Sequence, residues 1–210
     1  MPGGHAGRDL LAGAGMTTEP NRTAVNPPER PAMHSTVLTF WFEELQPAQW
    51  WRVDAALDER IRTQFGALHQ AAHAGELAAW RDQPDGRLAE IIVLDQFSRN
   101  IHRGTPLAFA CDPMALALAQ EAVRAGADRA LPVERRAFLY MPYMHSESAR
   151  IHQDAERLFR TQAPQANHQA ELQHKAIIDR FGRYPHRNAI LGRTSSAEEL
   201  AFLQQPGSSF

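Results

Sequence analysis

The chain reads as a series of apolar stripes at helical spacing, cut by short polar breaks. From Ser35 onward apolar residues recur at three- and four-residue steps, the period of a helix with one buried face. Ser35 is expected to cap "TVLTFWFEEL", and Pro47 to break it ahead of Trp50-Trp51. Asp54 is expected to cap the next helix, whose stripe of Leu57, Ile61, Phe65, Leu68 and Ala72 stops at Gly75. A short segment to Trp80 leads into a turn at "QPDG". Then comes an apolar run through Leu88, Ile91, Ile92, Leu94 and Phe97, expected to end as a buried helix at "VLDQFSRNIHRGT", residues 93–105.

Beyond that stretch, Thr105-Pro106 and Asp112-Pro113 each place a capping oxygen before a first-turn proline. The second opens "MALALAQEAVRAG", stopped by Gly126. Pro132 opens "VERRAFLYM", Pro142 is expected to interrupt it, and Ser146 to cap the stripe that resumes through Ile151, Leu158 and Phe159. Asn167 to Phe181 predicts a helix ended by a left-handed Gly182. Ser195-Ser196-Ala197-Glu198 reads as a capping box before "LAFL". No stretch alternates long enough to predict a strand. The predicted fold is all-α, with short connections between antiparallel helix pairs and a rhythm similar to a short tetratricopeptide-repeat-like solenoid or bundle.

Composition divides the chain. Residues 1–33 are rich in Gly, Pro, Arg and Thr without an apolar period, which predicts a flexible extension. Residues 34–205 are expected to form a single helical domain, and 206–210 a loose tail. Hydrophobic residues make up 43% of the 210, and Lys+Arg 22 against Asp+Glu 24 leave a net charge of −2, which removes the general electrostatic case for nucleic acid or an anionic membrane. No run approaches the length of a membrane helix and "RDLLAGAGM" makes a poor signal peptide, so the expected location is cytoplasmic. The one cysteine, Cys111, lies in the apolar "LAFACDP" and reads as a packed side chain.

Chemistry concentrates in three interhelical breaks. His69 and His73 share a helix face at zinc-protease spacing, but Gln70 stands where the general-base glutamate belongs, so that mechanism fails. The first break holds Asp95, Arg99, Asn100, His102 and Arg103; an Asp95–Arg99 pair at a helix end is also a simple structural clasp. The second, "FLYMPYMHSES", holds Tyr143, His145 and Glu147. The third, "FGRYPHRNAILGR", holds His186, Arg187 and Asn188 in a loop stiffened by Pro185. If the three converge they form an aromatic-walled pocket. There Arg99, Asn100, His102, Tyr143, His186, Arg187 and Asn188 would bind a small anionic molecule, and His145, Glu147 and Asp95 would handle protons.

"LDQFSRNIHRGT", "FLYMPYMHSES" and "YPHRNAILGR", with the opening "VLTFWFEEL", resemble the signatures of domain-of-unknown-function family 924, over roughly residues 35–205. The resemblance implies an all-helical, tetratricopeptide-like fold and carries no activity with it. Ser98 stands where the family pattern suggests proline, a change expected to loosen that turn slightly.

Two function classes stay open. One is a small-molecule site, catalytic or purely binding, needing no cofactor; a metal held by His145, Glu147 and His186 is a weaker variant. The other is a peptide-binding module with a groove lined by Trp41, Trp50, Trp51 and Trp80, the polar motifs then serving only as locks between helix ends.

Overall fold

The computed structural model describes residues 33–209, so the expected N-terminal extension lies, apart from Met33, outside the described residues. Helix α1 (Met33–Thr39) begins ahead of Ser35, which sits in its first turn and does not cap it, and runs into a π-helical turn at Phe40–Glu44. Pro47 opens a 3-10 turn that ends at Trp51. Asp54 caps α2 (Ala55–His73), its carboxylate accepting the N–H groups of Ala56 and Leu57.

After a 3-10 turn at Ala78–Asp82, "QPDG" begins a helix: Pro84 is the first residue of α3 (Pro84–Ile92), where its fixed φ and missing N–H are harmless. Gly86 is required inside that helix, because a Cβ there would stand 2.0 Å from the Trp80 carbonyl oxygen.

The apolar run does not end at Asp95. It continues through a π-helical turn, Val93–Phe97, into α4 (Ser98–Ile101), so one rod spans residues 84–101. Every residue from Leu88 to Ser98 is buried, the polar Glu90, Asp95, Gln96 and Ser98 included. Helices α1, α2, α5 (Asp112–Arg124) and α6 (Val133–Met144) surround the rod. The alanine stripe Ala115, Ala119 and Ala122 gives α5 its close approach. Cys111, not Asp112, occupies the N-cap of α5, because the Asp112 carboxylate is engaged elsewhere.

Pro142 lies in the last turn of α6, which runs on to Met144 without interruption. Ser148, not Ser146, is the N-cap residue of α7 (Ala149–Gln162), and Ser146 Oγ accepts the Ser148 N–H. Helix α8 (Gln165–Phe181) ends at left-handed Gly182, and α6, α7 and α8 pack in succession. A 3-10 turn, Pro185–Arg187, precedes α9 (Ala197–Leu203), whose capping box pairs Ser196 with Glu199, one residue later than the sequence suggests. Ser208 is buried and donates to the Leu203 carbonyl, so the segment expected as a loose tail is tied down that far. The described residues are all-α, without strands, and none of their helices is long and apolar enough to cross a membrane.

Candidate functional site

The π-helical turn at Val93–Phe97 carries Asp95 into the core. Such turns widen a helix by one residue and recur at functional sites. Asp95 has no solvent exposure, and its charge is answered from three sides. His145, the C-cap of α6, donates from Nδ1 to Asp95 Oδ1 at 2.8 Å; Gln96 donates to Oδ2 at 2.6 Å; Arg99 Nη1 lies 3.1 Å from Oδ1. Burial alone would raise the Asp95 pKa. The charge of Arg99 and these hydrogen bonds, that from His145 among them, outweigh it and hold the carboxyl well below its ordinary range. His145 is pushed the other way, by burial and then by Arg99, against the pull of Asp95. It is therefore neutral near pH 7, with its proton on Nδ1 and the Nε2 lone pair unused by any described residue.

Arg99 does more than clasp a helix end. It donates to the Asp95 carbonyl at 2.8 Å and forks onto Asp112 at 2.9 and 3.0 Å, joining the rod to the start of α5. Arg187 arrives from the 185–187 turn at the far side of Asp112, and it is poorly served. It is 5% exposed, yet its only hydrogen bond among the described residues is a 3.4 Å contact from Nη1 to Asp112 Oδ2, and its buried Nε has none. Its guanidinium packs against the rings of Phe109 and Tyr184, whose centroids lie 4.6 and 4.7 Å from Cζ. Burial, then Arg99, lowers its pKa. Among the described residues its Nε and Nη2 meet no acceptor.

His186 packs against Tyr184, its pKa held down to about 4 by burial and then by Arg187. His174 of α8 is held down to about 3, chiefly by burial. Asp95, Arg99, His145, His186 and Arg187 thus belong to one electrostatic cluster. Neither of two cavities, of about 390 and 230 Å³, is lined by His145 or Arg187.

The remaining residues singled out in the three breaks lie elsewhere or act as struts. Asn100 and Arg103 both donate to Asp58 of α2, at 2.8 Å and at 2.6 and 2.7 Å. His102 lines the 230 Å³ cavity with His69, His73 and Cys111. Tyr143 is buried, and burial pushes its pKa up to about 12. Glu147 is not a partner of His145: it accepts the Tyr184 N–H at 2.7 Å and takes Arg193 through 2.6 and 2.9 Å bonds. Asn188 accepts from Arg193 and donates to Ser195, which fixes the loop behind Arg187. With Glu147 so committed, it is not available beside His145 and His186 for a metal, and no group of three such side chains among the described residues is arranged to hold one.

Ser98 tightens its turn where loosening was expected. Fully buried, it donates to the Leu94 carbonyl at 2.6 Å and meets His69 Nε2 at 2.7 Å, tying α2 to the rod. The tryptophans do not form a common groove: Trp41 and Trp80 are buried, Trp50 is half-buried and donates to the Trp41 carbonyl, and only Trp51 is exposed.

Several participants escape a reading by sequence. Asp112 looks like a cap, Phe109 and Tyr184 like core, and Arg193 like a loop charge. Their only signal is proximity in sequence to Cys111-Asp112-Pro113 and "YPHRN". His152 and Glu171, both fully buried and paired at 2.7 Å next to Tyr184, have not even that signal.

Among curated proteins none matches this chain. A solved structure of a protein of unknown function from Agrobacterium tumefaciens is similar, with 38% sequence identity, a TM-score of 0.78, and coverage of 82% of this chain and 97% of that one. Residues 37–207 match the model of DUF924, described as bacterial protein of unknown function, and the chain belongs to that family.

Proposed function

We propose that the Asp95–His145 pair and Arg187 form a site that holds a small organic anion and exchanges a proton with it. The observation that carries this reading is Arg187. A guanidinium so buried, with one long hydrogen bond and an unpaired Nε, is incomplete as a structural group, because buried donors left unmade cost free energy. An anion supplies what is missing, and arginine recognises planar anions through two parallel bonds.

Linked to it through Asp95, Arg99 and Asp112, His145 has the form of an acid–base group. Asp95 orients the ring and fixes its tautomer, and Nε2 stays available as a base. Arg99 and Asp112 act as positioning residues, since Arg99 is taken up by Asp112 and Asp95, and Asp112 by both terminal nitrogens of Arg99. The site's enclosure calls for an opening of the Phe109 or Tyr184 side before a ligand can seat.

The test is thermal unfolding of the full chain across a panel of carboxylates and phosphates. Stabilisation of the wild type by at least one of them, lost in Arg187→Gln, supports the reading. If no anion stabilises the wild type, the cluster is a lock between helix ends. The peptide-module reading has a weaker footing, the exposed Trp51 and Val53, and predicts binding of an apolar peptide that is lost in Trp51→Ala.

A further inference from the structure

His152 of α7 and Glu171 of α8 form a second polar centre, fully buried and outside the Asp95–His145 pair. His152 Nε2 lies 2.8 Å from the Ser146 carbonyl oxygen, which can only accept, so this nitrogen carries a proton. The Tyr184 hydroxyl donates to the Met144 carbonyl at 2.5 Å and offers the same nitrogen a further acceptor at 3.2 Å. The other ring nitrogen, Nδ1, lies 2.7 Å from Glu171 Oε1. That gap needs a second proton, on the ring or on the carboxyl. Without one, a nitrogen lone pair would face a carboxylate oxygen at hydrogen-bond distance.

The surroundings favour the carboxyl. Glu171 Oε2 is buried and meets no donor among the described residues. A carboxylate here would leave part of its charge on an oxygen without a hydrogen bond. The neutral acid leaves only a carbonyl oxygen unpaired, which costs less. Burial pushes the Glu171 carboxyl up from its ordinary value; His152 and Lys175 oppose this and Glu156 adds to it. The titratable groups facing the pair are Glu156 from α7, His174 and Lys175 from α8, and Tyr184 from the loop that follows. His174 in turn neighbours His145, at the end of α6, and His186. Lys175 is bonded to Asp179 at 2.6 Å, and no lysine or arginine among the described residues bonds to Glu171.

The pair stands at a junction. It ties α7 to α8, its imidazole holds the Ser146 carbonyl in the break after α6, and Tyr184 reaches that break at Met144. We propose that Glu171 is a neutral carboxylic acid near neutral pH, that it donates to His152 Nδ1, and that this proton clamps α7, α8 and the break after α6 together until alkali removes it. The clamp is independent of any ligand at Arg187. The folded chain then keeps a proton that glutamate in the unfolded chain gives up above about 4.5, its ordinary value. Its contribution is full below that value and falls as pH rises.

Carbon NMR of the full chain, labelled at the glutamate carboxyls and assigned through the α8 backbone, is expected to find Glu171 in the acid form at about pH 7. Nitrogen NMR is expected to find the His152 proton on Nε2 and none on Nδ1. Glu171→Gln supplies an amide that can donate to Nδ1 in place of the acid and does not titrate. From about pH 5 to about pH 8 its unfolding constant is expected to fall, relative to that of the wild type, by up to about tenfold per pH unit. An ionised Glu171 at about pH 7, protons on both ring nitrogens, or a ratio that does not change with pH overturns the clamp. The NMR readings use the wild type alone, and they decide the matter even if Glu171→Gln does not fold.

Discussion

Asp112 is shared unequally by two arginines: it takes both terminal nitrogens of Arg99, at 2.9 and 3.0 Å, and reaches Arg187 only at 3.4 Å. The two guanidiniums therefore contribute differently to folding. Arg99→Met leaves the buried Asp95 and the half-buried Asp112 without their main cation, and is expected to destabilise by about 3–5 kcal/mol. Arg187→Met removes a cation that is itself poorly compensated, and is expected to change stability by no more than about 1 kcal/mol. Urea unfolding of both variants checks the contrast. Equal losses would mean that Arg187 is a structural tie.

The hydrogen bond from His145 to Asp95 fixes a tautomer. Nitrogen NMR of the imidazole near pH 7 is expected to place the His145 proton on Nδ1, leaving Nε2 as the base. Asp95→Asn removes the charge that holds this arrangement and is expected to redistribute the proton. A wild-type ring protonated on Nε2 would end the acid–base reading.

Three histidines make the fold sensitive to mild acid. Burial first, with help from neighbouring positive groups, holds His69 and His186 at about 4 and His174 at about 3, all below the ordinary value of 6.5. Between those values and 6.5 the unfolded chain binds protons that the folded chain refuses, so stability rises with pH there and falls as pH drops through the window. Each histidine contributes a slope of up to about 1.4 kcal/mol per pH unit. Melting temperatures from about pH 7 down to pH 4 are expected to decline steadily. A flat profile across that range would show that these side chains are solvated.

Gly86 tests the packing of the rod's first turn. With a Cβ placed 2.0 Å from the Trp80 carbonyl oxygen and 2.8 Å from its carbon, Gly86→Ala forces backbone apart despite alanine's higher helix propensity. The expected loss is about 2–3 kcal/mol by chemical denaturation, against the small gain that propensity alone predicts.

Helical periodicity carried most of the fold. The stripe Leu57, Ile61, Phe65, Leu68 and Ala72, capped by Asp54, predicts α2, and the left-handed Gly182 closes α8 where it should. The boundaries that failed have separate reasons. Ser35 falls inside α1, Ser146 accepts the Ser148 N–H two residues ahead of where α7 is capped, and tertiary partners claimed the Asp112 carboxylate. The stretch around Asp95 looked like a helix end because charge there contradicts burial. It is instead the interior of the rod, and burial is tolerated because His145, Arg99 and Gln96 arrive to satisfy the carboxylate.

The sequence by itself determined that the chain is helical, where most helices run, and that three polar breaks hold its unusual chemistry, since these follow from local spacing and side-chain type. Only the tertiary structure decided which of those residues meet. It sent Asn100 and Arg103 to Asp58, and Glu147 to Arg193. It brought Asp112, Phe109 and Tyr184 around Arg187. Hydrogen-bond and ion-pair partners far apart in the chain are chosen by packing geometry, which no local pattern of residues encodes.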